Sequence, residues 1–173
     1  MSRLKLTDVE RVLLANQYEI LAYIKNDPHY EKLACTLRDG HEWLYSQDLD
    51  HISENLAADK AEHVIKILGI YGDMHASFEK LSNQDGIDAG SLSFPGFDGN
   101  NEADLYSFAR ALQANGKFEK TLGPNPRNSH HPTTEMYERM IEKHRELNKP
   151  NFPYSREQII AILDAQTHPS NKR

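Results

Sequence analysis

Apolar residues recur along most of this chain at spacings of three and four, and the longest such run fixes the expected architecture. Val64, Ile67, Leu68, Tyr71, Met74 and Phe78 fall on one stripe at 3.6 residues per turn, while Glu62, Lys66, Asp73 and Lys80 stay off it. Leu56, Ala57, Ala61 and Leu81 extend the stripe, so the pattern predicts a central helix over residues 57–81 against which other helices pack. Gly69 and Gly72 sit inside it on the opposite side. Each costs about 1 kcal/mol relative to alanine, a cost that close approach of another helix or chain would explain, with chance occurrence as the alternative.

Shorter runs supply the packing partners. Thr7 and Glu10 form a Thr-x-x-Glu capping box ahead of a helix over residues 8–25. Val9, Val12, Leu13, Ile20, Tyr23 and Ile24 make its main stripe, with Leu14 and Leu21 as a second flank. Asn16 falls near the middle of that stripe beside Gln17 and Tyr18, so a buried carboxamide in need of partners is expected there. Asp27-Pro28 reads as an N-cap and first helical position, opening a helix to residue 38 that Asp39-Gly40 stops. Between residues 41 and 55 the pattern is weak, and Trp43, Leu44, Leu49 and Ile52 are the anchors available for a turn or short helix.

Two long loops flank the next helix. Residues 82–99 carry Asp85-Gly86, Gly90-Ser91 and Pro95-Gly96, yet Leu92, Phe94 and Phe97 are too apolar for a solvated linker and should pin it to the core. Asp98 or Asn100 caps a helix over residues 101–114 whose buried face is Leu105, Phe108, Ala109 and Leu112. Residues 117–132, with Gly123-Pro124, Pro126 and Asn128-Ser129-His130-His131-Pro132, form the second loop, and ordered connections of this length often carry function. Thr133 or Thr134 caps a helix to residue 148, with Met136, Tyr137, Met140, Ile141, His144 and Leu147 on its apolar side. Ser155 and Gln158 make a second capping box, Tyr154 and Ile159 a hydrophobic staple, and a last helix covers residues 156–166. No segment alternates with period two. The expected fold is all-α, a single-domain multihelical array of five or six helices over residues 1–173, with its core in 6–166 and a frayed tail in 167–173.

Composition narrows the classes. A chain of 173 residues with 38% hydrophobic and 27% charged residues suits one ordinary water-soluble domain. Its formal net charge of -6 has the wrong sign for neutralising phosphates, so nucleic acid is a disfavoured partner. Cys35 stands alone among Leu33, Ala34 and Leu37 and reads as a small buried hydrophobe. Neither a signal peptide nor a run long enough to span a membrane is present, which makes the cytoplasm the expected compartment.

Nine histidines raise the question of a metal, and the spacing answers against it. There is no His-Glu-x-x-His and no Glu-x-x-His pair; Asp59 and His63 share a helix face, while His75 and His144 read as satisfied boundary or core histidines. His130 and His131 are better placed, in a loop beside a proline. Asp98 and Glu102 can converge at one helix start with Asn100 between them, although carboxylates gather there simply to cap. No nucleophile elbow or phosphate loop exists. No catalytic residue, metal or cofactor is assigned.

Leu13-Leu14-Ala15-Asn16-Gln17-Tyr18, Phe94-x-Gly96-Phe97-Asp98-Gly99-Asn100-Asn101-Glu102, and Asn128-Ser129-His130 leading to Tyr137-x-x-Met140 together resemble the YfbU family of bacterial proteins, as do Ile67-Leu68 and Tyr71. The resemblance runs from about Leu6 to Ala165. It implies an all-helical bacterial protein and no catalytic mechanism. It also singles out Asn16, Gln17, Asp98, Asn100, Glu102 and His130 as a candidate polar cluster, in which the Gly-Phe-Asp and Asn-Ser-His loops fold over the first helix and Asn16 bonds one of them. The expected function is a non-enzymatic helical module acting through self-association or another protein. The alternative is a small-ligand binder or hydrolase, with or without a divalent metal, built on those two loops.

Overall fold

A computed structural model describes residues 5–49, 55–148, 150–168 and 170. Its contacts divide the chain into two compact units, Met1–Asn55 and Leu56–Arg173. Among the described residues the structure is all-α, with eight helices, a 3-10 turn at Ala89–Leu92 and a single isolated bridge between Phe97 and Asn128. No described helix is long and apolar enough to cross a membrane.

The first unit is a helical hairpin with a short third helix: α1 (Asp8–Lys25), α2 (Pro28–Arg38) and α3 (Glu42–Leu49). Thr7 and Glu10 make the expected reciprocal cap, and Asp27 caps α2 by accepting from the His29 N–H at 2.9 Å. Between them α1 ends on Asn26 in the left-handed region (φ 50°), which turns the chain back on itself. Ala15, Leu33, Ala34, Leu37, Tyr45 and Leu49 form a small core, with Leu6, Leu14 and Tyr18 packed on it.

That core uses the flank of α1 and leaves the main stripe outside. Ala15, Leu14 and Tyr18 face α2, whereas Val9, Val12, Leu13, Ile20, Tyr23 and Ile24 are exposed, Tyr23 at 90% and Val9 at 69%. Asn16 is therefore not buried, because the stripe it centres on is not. Cys35 is exposed rather than buried, on the side of α2 away from Leu33, Ala34 and Leu37. In α3 the anchors are Tyr45 and Leu49, while Trp43 and Leu44 point outward; Ile52 lies outside the described residues.

The second unit is organised around α4 (Ala58–Phe78), joined by α5 (Ala103–Ala114), α6 (Glu119–Leu122), α7 (Thr134–Glu146) and α8 (Arg156–Asp164). The central helix is shorter than its apolar run, since Ala57 at its start offers no capping side chain and Leu81 follows the last turn. Its stripe of Val64, Ile67, Leu68, Tyr71 and Met74 is buried, and Ile70 and Ser77 widen it. Ser77 is used: its Oγ accepts from the Tyr154 N–H at 2.8 Å, fixing the entry to α8. There the second capping box closes, and Tyr154 and Ile159 are both buried as the staple requires.

Leu92, Phe94 and Phe97 are buried as expected, joined by Ile87. Phe94 stacks on Tyr137 at 5.5 Å between ring centroids, and Tyr71 and Phe97 meet Tyr137 edge-on at 6.2 and 5.3 Å, the offset arrangements that aromatic quadrupoles favour. Gly72 explains itself: a Cβ there would meet the Thr121 Oγ1 at 3.0 Å, so its bareness lets α6 close on α4. Around Gly69 there is nothing within 4 Å, and its presence has no packing reason. Of the tail expected to fray, Thr167, His168 and Ser170 are described, while residues 169 and 171–173 lie outside the described residues.

Candidate functional site

The two long loops of the second unit are laced together at the motif residues. The Phe97 carbonyl accepts from the Ser129 N–H at 3.1 Å, and the Asn128 Oδ1 accepts from the N–H groups of Gly99 (3.2 Å) and His130 (2.9 Å). Gly96 permits the contact. It sits at φ +98°, and a Cβ there would fall 1.9 Å from the Arg127 carbonyl oxygen, so no other residue fits.

Glu102 is the centre of this knot. Its Oε1 accepts from the N–H groups of Thr133 (2.8 Å) and Thr134 (2.7 Å) and from the Thr134 hydroxyl, while its Oε2 accepts from the Asp98 N–H at 2.9 Å. The Thr133 hydroxyl lies within reach of both that Oε2 (3.0 Å) and the Gly96 carbonyl (3.1 Å), and the Tyr137 hydroxyl donates to the same carbonyl. α7 is thus capped by a carboxylate from the start of another helix. Neither Thr133 nor Thr134 caps it through its own side chain.

Asp98 caps no helix either. Its carboxylate accepts from the Asn100 N–H at 2.9 Å and from the Asn101 side chain, forming a turn one step before α5. The hydrogen bond from Asn101 and then that from the Asn100 N–H hold its carboxyl below the usual range, and the nearby His130 acts in the same direction. For Glu102, burial raises the carboxyl pKa, but the hydrogen bonds from Asp98, Thr134 and Thr133 together outweigh it and leave it lowered. Both side chains are sealed, with Asp98 at 1% and Glu102 at 7% exposure. A carboxylate whose lone pairs are all engaged has none left to take a substrate proton, and this one serves as a clamp.

The remaining candidates are exposed. Asn100 is exposed at the edge of the knot, and His130 and His131 are exposed on its outer side. Asn16 and Gln17 belong to the first unit; the Asn16 Oδ1 accepts from the Arg38 Nη2 at 2.8 Å, and Arg38 also pairs with Glu19 at 2.9 Å. Within its own unit Asn16 thus finds a partner in α2.

Among the described residues no group of three or more His, Cys, Asp or Glu side chains is arranged to hold a metal. His144 is a satisfied histidine, its Nε2 3.1 Å from the Tyr154 hydroxyl, which in turn donates to Asp73 at 3.2 Å. His63 is half-buried and its Nε2 has no partner in the structure; burial lowers its pKa, against the raising influence of Glu138 and Glu102. The periodicity of α1 showed a stripe but not which side of the helix it would occupy. A cavity beside α4, bordered by Gly72, Lys120 and Arg127, gave no motif at all, and its one sequence signal was the interior glycine.

The model of the YfbU domain matches residues 4–165. A UPF0304 protein of Methanocaldococcus jannaschii is 30% identical over 167 residues, covering 92% of this chain and 99% of that one. The match spans both the hairpin with its outward stripe and the unit holding the Glu102 clamp, and the chain belongs to the YfbU family.

Proposed function

We propose that the protein works as a self-associating helical module in which α1 of one copy packs antiparallel on α1 of a second. The observation that carries this reading is the outer face of α1. Val9, Leu13, Asn16, Ile20 and Tyr23 follow one another at spacings of four, three, four and three, the seam spacing of paired helices, and Val12 and Ile24 flank them. All six of the apolar side chains are exposed. A contiguous apolar stripe of this kind on a helix otherwise rich in charge is the mark of a docking surface.

Charge favours a second copy as the occupant. Asp8 and Glu10 lie in the first turn and Lys25 in the last, so an antiparallel copy sets acidic end against basic end, and the helix dipoles also oppose. A two-fold axis between Asn16 and Gln17 brings Leu13 onto the partner's Ile20 and Val9 onto the partner's Ile24. The carboxamides of Asn16 and Gln17 then meet at the axis, where a polar pair in an apolar seam favours one register over its slipped alternatives.

Light scattering on the full chain tests this. The expected mass is twice the 19.8 kDa of one chain, falling to a single chain in the Leu13→Glu/Ile20→Glu variant with helical circular dichroism unchanged. A strict monomer, or a dimer indifferent to that variant, would overturn the proposal.

A further inference from the structure

A cavity of about 610 Å³ in the second unit lies between α4, the segment after the 3-10 turn, and α6 with the turn that follows it. Its volume falls in the range of small-molecule sites, roughly 300–1,000 Å³. Tyr71, Leu92, Phe94 and Leu122 are buried residues that give it an apolar floor. Lys120 and Arg127 border it, and neither makes an ion pair among the described residues. Two unneutralised cations beside one hollow stand out in a chain of net charge -6. The carboxylate on the opposite wall, Glu79, is 3.9 Å from His75.

The walls are held by backbone constraints already described. α6 lies against α4 because Gly72 has no Cβ to meet Thr121, and the backbone of Arg127 is pressed on Gly96 one residue before the Asn128 bridge. The Glu102 knot thereby fixes where the Arg127 side chain leaves the main chain. Two cations at the rim of an apolar floor suit a ligand with a flat apolar body and a single anionic head.

We propose that this cavity binds a small organic anion, its apolar body on Tyr71, Leu92, Phe94 and Leu122 and its carboxylate, sulfonate or phosphate held by Lys120 and Arg127. The proposal is independent of self-association through α1. Amide NMR on the full chain tests it, with naphthalene-2-sulfonate as the probe and 2-naphthylmethanol as its uncharged counterpart. Saturable shifts at Gly72, Ser93, Thr121 and Gly123 are expected, with at least fivefold weaker binding of the alcohol. Lys120→Gln/Arg127→Gln should weaken the sulfonate at least tenfold, and Ala76→Trp, which fills the cavity, should abolish its shifts with the fold intact by circular dichroism. Shifts confined to α1, equal affinity for the alcohol, or an unaffected double variant would each overturn it.

Discussion

The Glu102 knot and the outer face of α1 are opposites. In the knot, polar groups are buried and both oxygens of the Glu102 carboxylate are engaged; on α1, apolar groups are exposed and nothing in their own unit covers them. A cluster of carboxylate, amide and hydroxyl side chains suggests chemistry when read as a string of letters. What decides is residual capacity, and by that measure the clamp is finished while the helix face has apolar surface left over.

The largest expected effect comes from unmaking the clamp. Glu102→Ala strands the N–H groups of Asp98, Thr133 and Thr134 in a sealed site, and urea unfolding should show a loss of roughly 3–5 kcal/mol. Gly96→Ala comes next, at about 2–4 kcal/mol by the same measurement, because the new methyl group would overlap the Arg127 carbonyl at a φ of +98°. If either variant proved neutral, the contrast between a saturated knot and an unsaturated face would fail.

Acid should dissolve the knot and spare the α1 surface. Glu102 and Asp98 have lowered carboxyl pKa values in the fold, against 4.5 and 3.8 unfolded. Their contribution is present above those unfolded values and is lost as pH falls through the lower folded ones, so stability should drop on going below about pH 4.5. Glu102→Gln should flatten that drop. At the other extreme burial raises the hydroxyl pKa of Tyr71 and Tyr137 above their ordinary 10.0, so the unfolded chain loses those protons first and stability should decline as pH rises past 10. Thermal melts across pH read both limbs.

Smaller effects sharpen the other side of the contrast. Asn16→Leu should leave the chain's helicity unchanged and alter the register or number of copies seen by light scattering. Arg38→Ala removes only a solvent-exposed pair with Glu19 and one bond to Asn16, and its urea midpoint should match that of the parent chain.

Much of this was legible in the chain. The capping boxes at Thr7 and Ser155 placed two helix starts, and the stripe of α4 gave the centre of the larger core. Periodicity located α1 but not its environment, since an apolar stripe looks the same whether a core or another molecule covers it. Short α3 and α6 were illegible because eight and four residues are too few to display a period of 3.6. In the candidate site, the Gly-Phe-Asp and Asn-Ser-His loops meet through Phe97 with Ser129 and Gly99 with Asn128, while the Asp98 carboxylate turns to Asn100 and Asn101. The bonds of Glu102 to Thr133 and Thr134, some thirty residues on, depend on the chain's return path, which no local pattern records.

Because α7 borrows the acceptor for its first amides from Glu102, its beginning has no meaning apart from α5. A peptide of residues 131–148 cut from the chain should be helical toward its C-terminal half and unwound at Thr134, and adding free acetate would not mend it. The two helices must therefore be born together, so this part of the molecule is expected to assemble in a single step and come apart the same way.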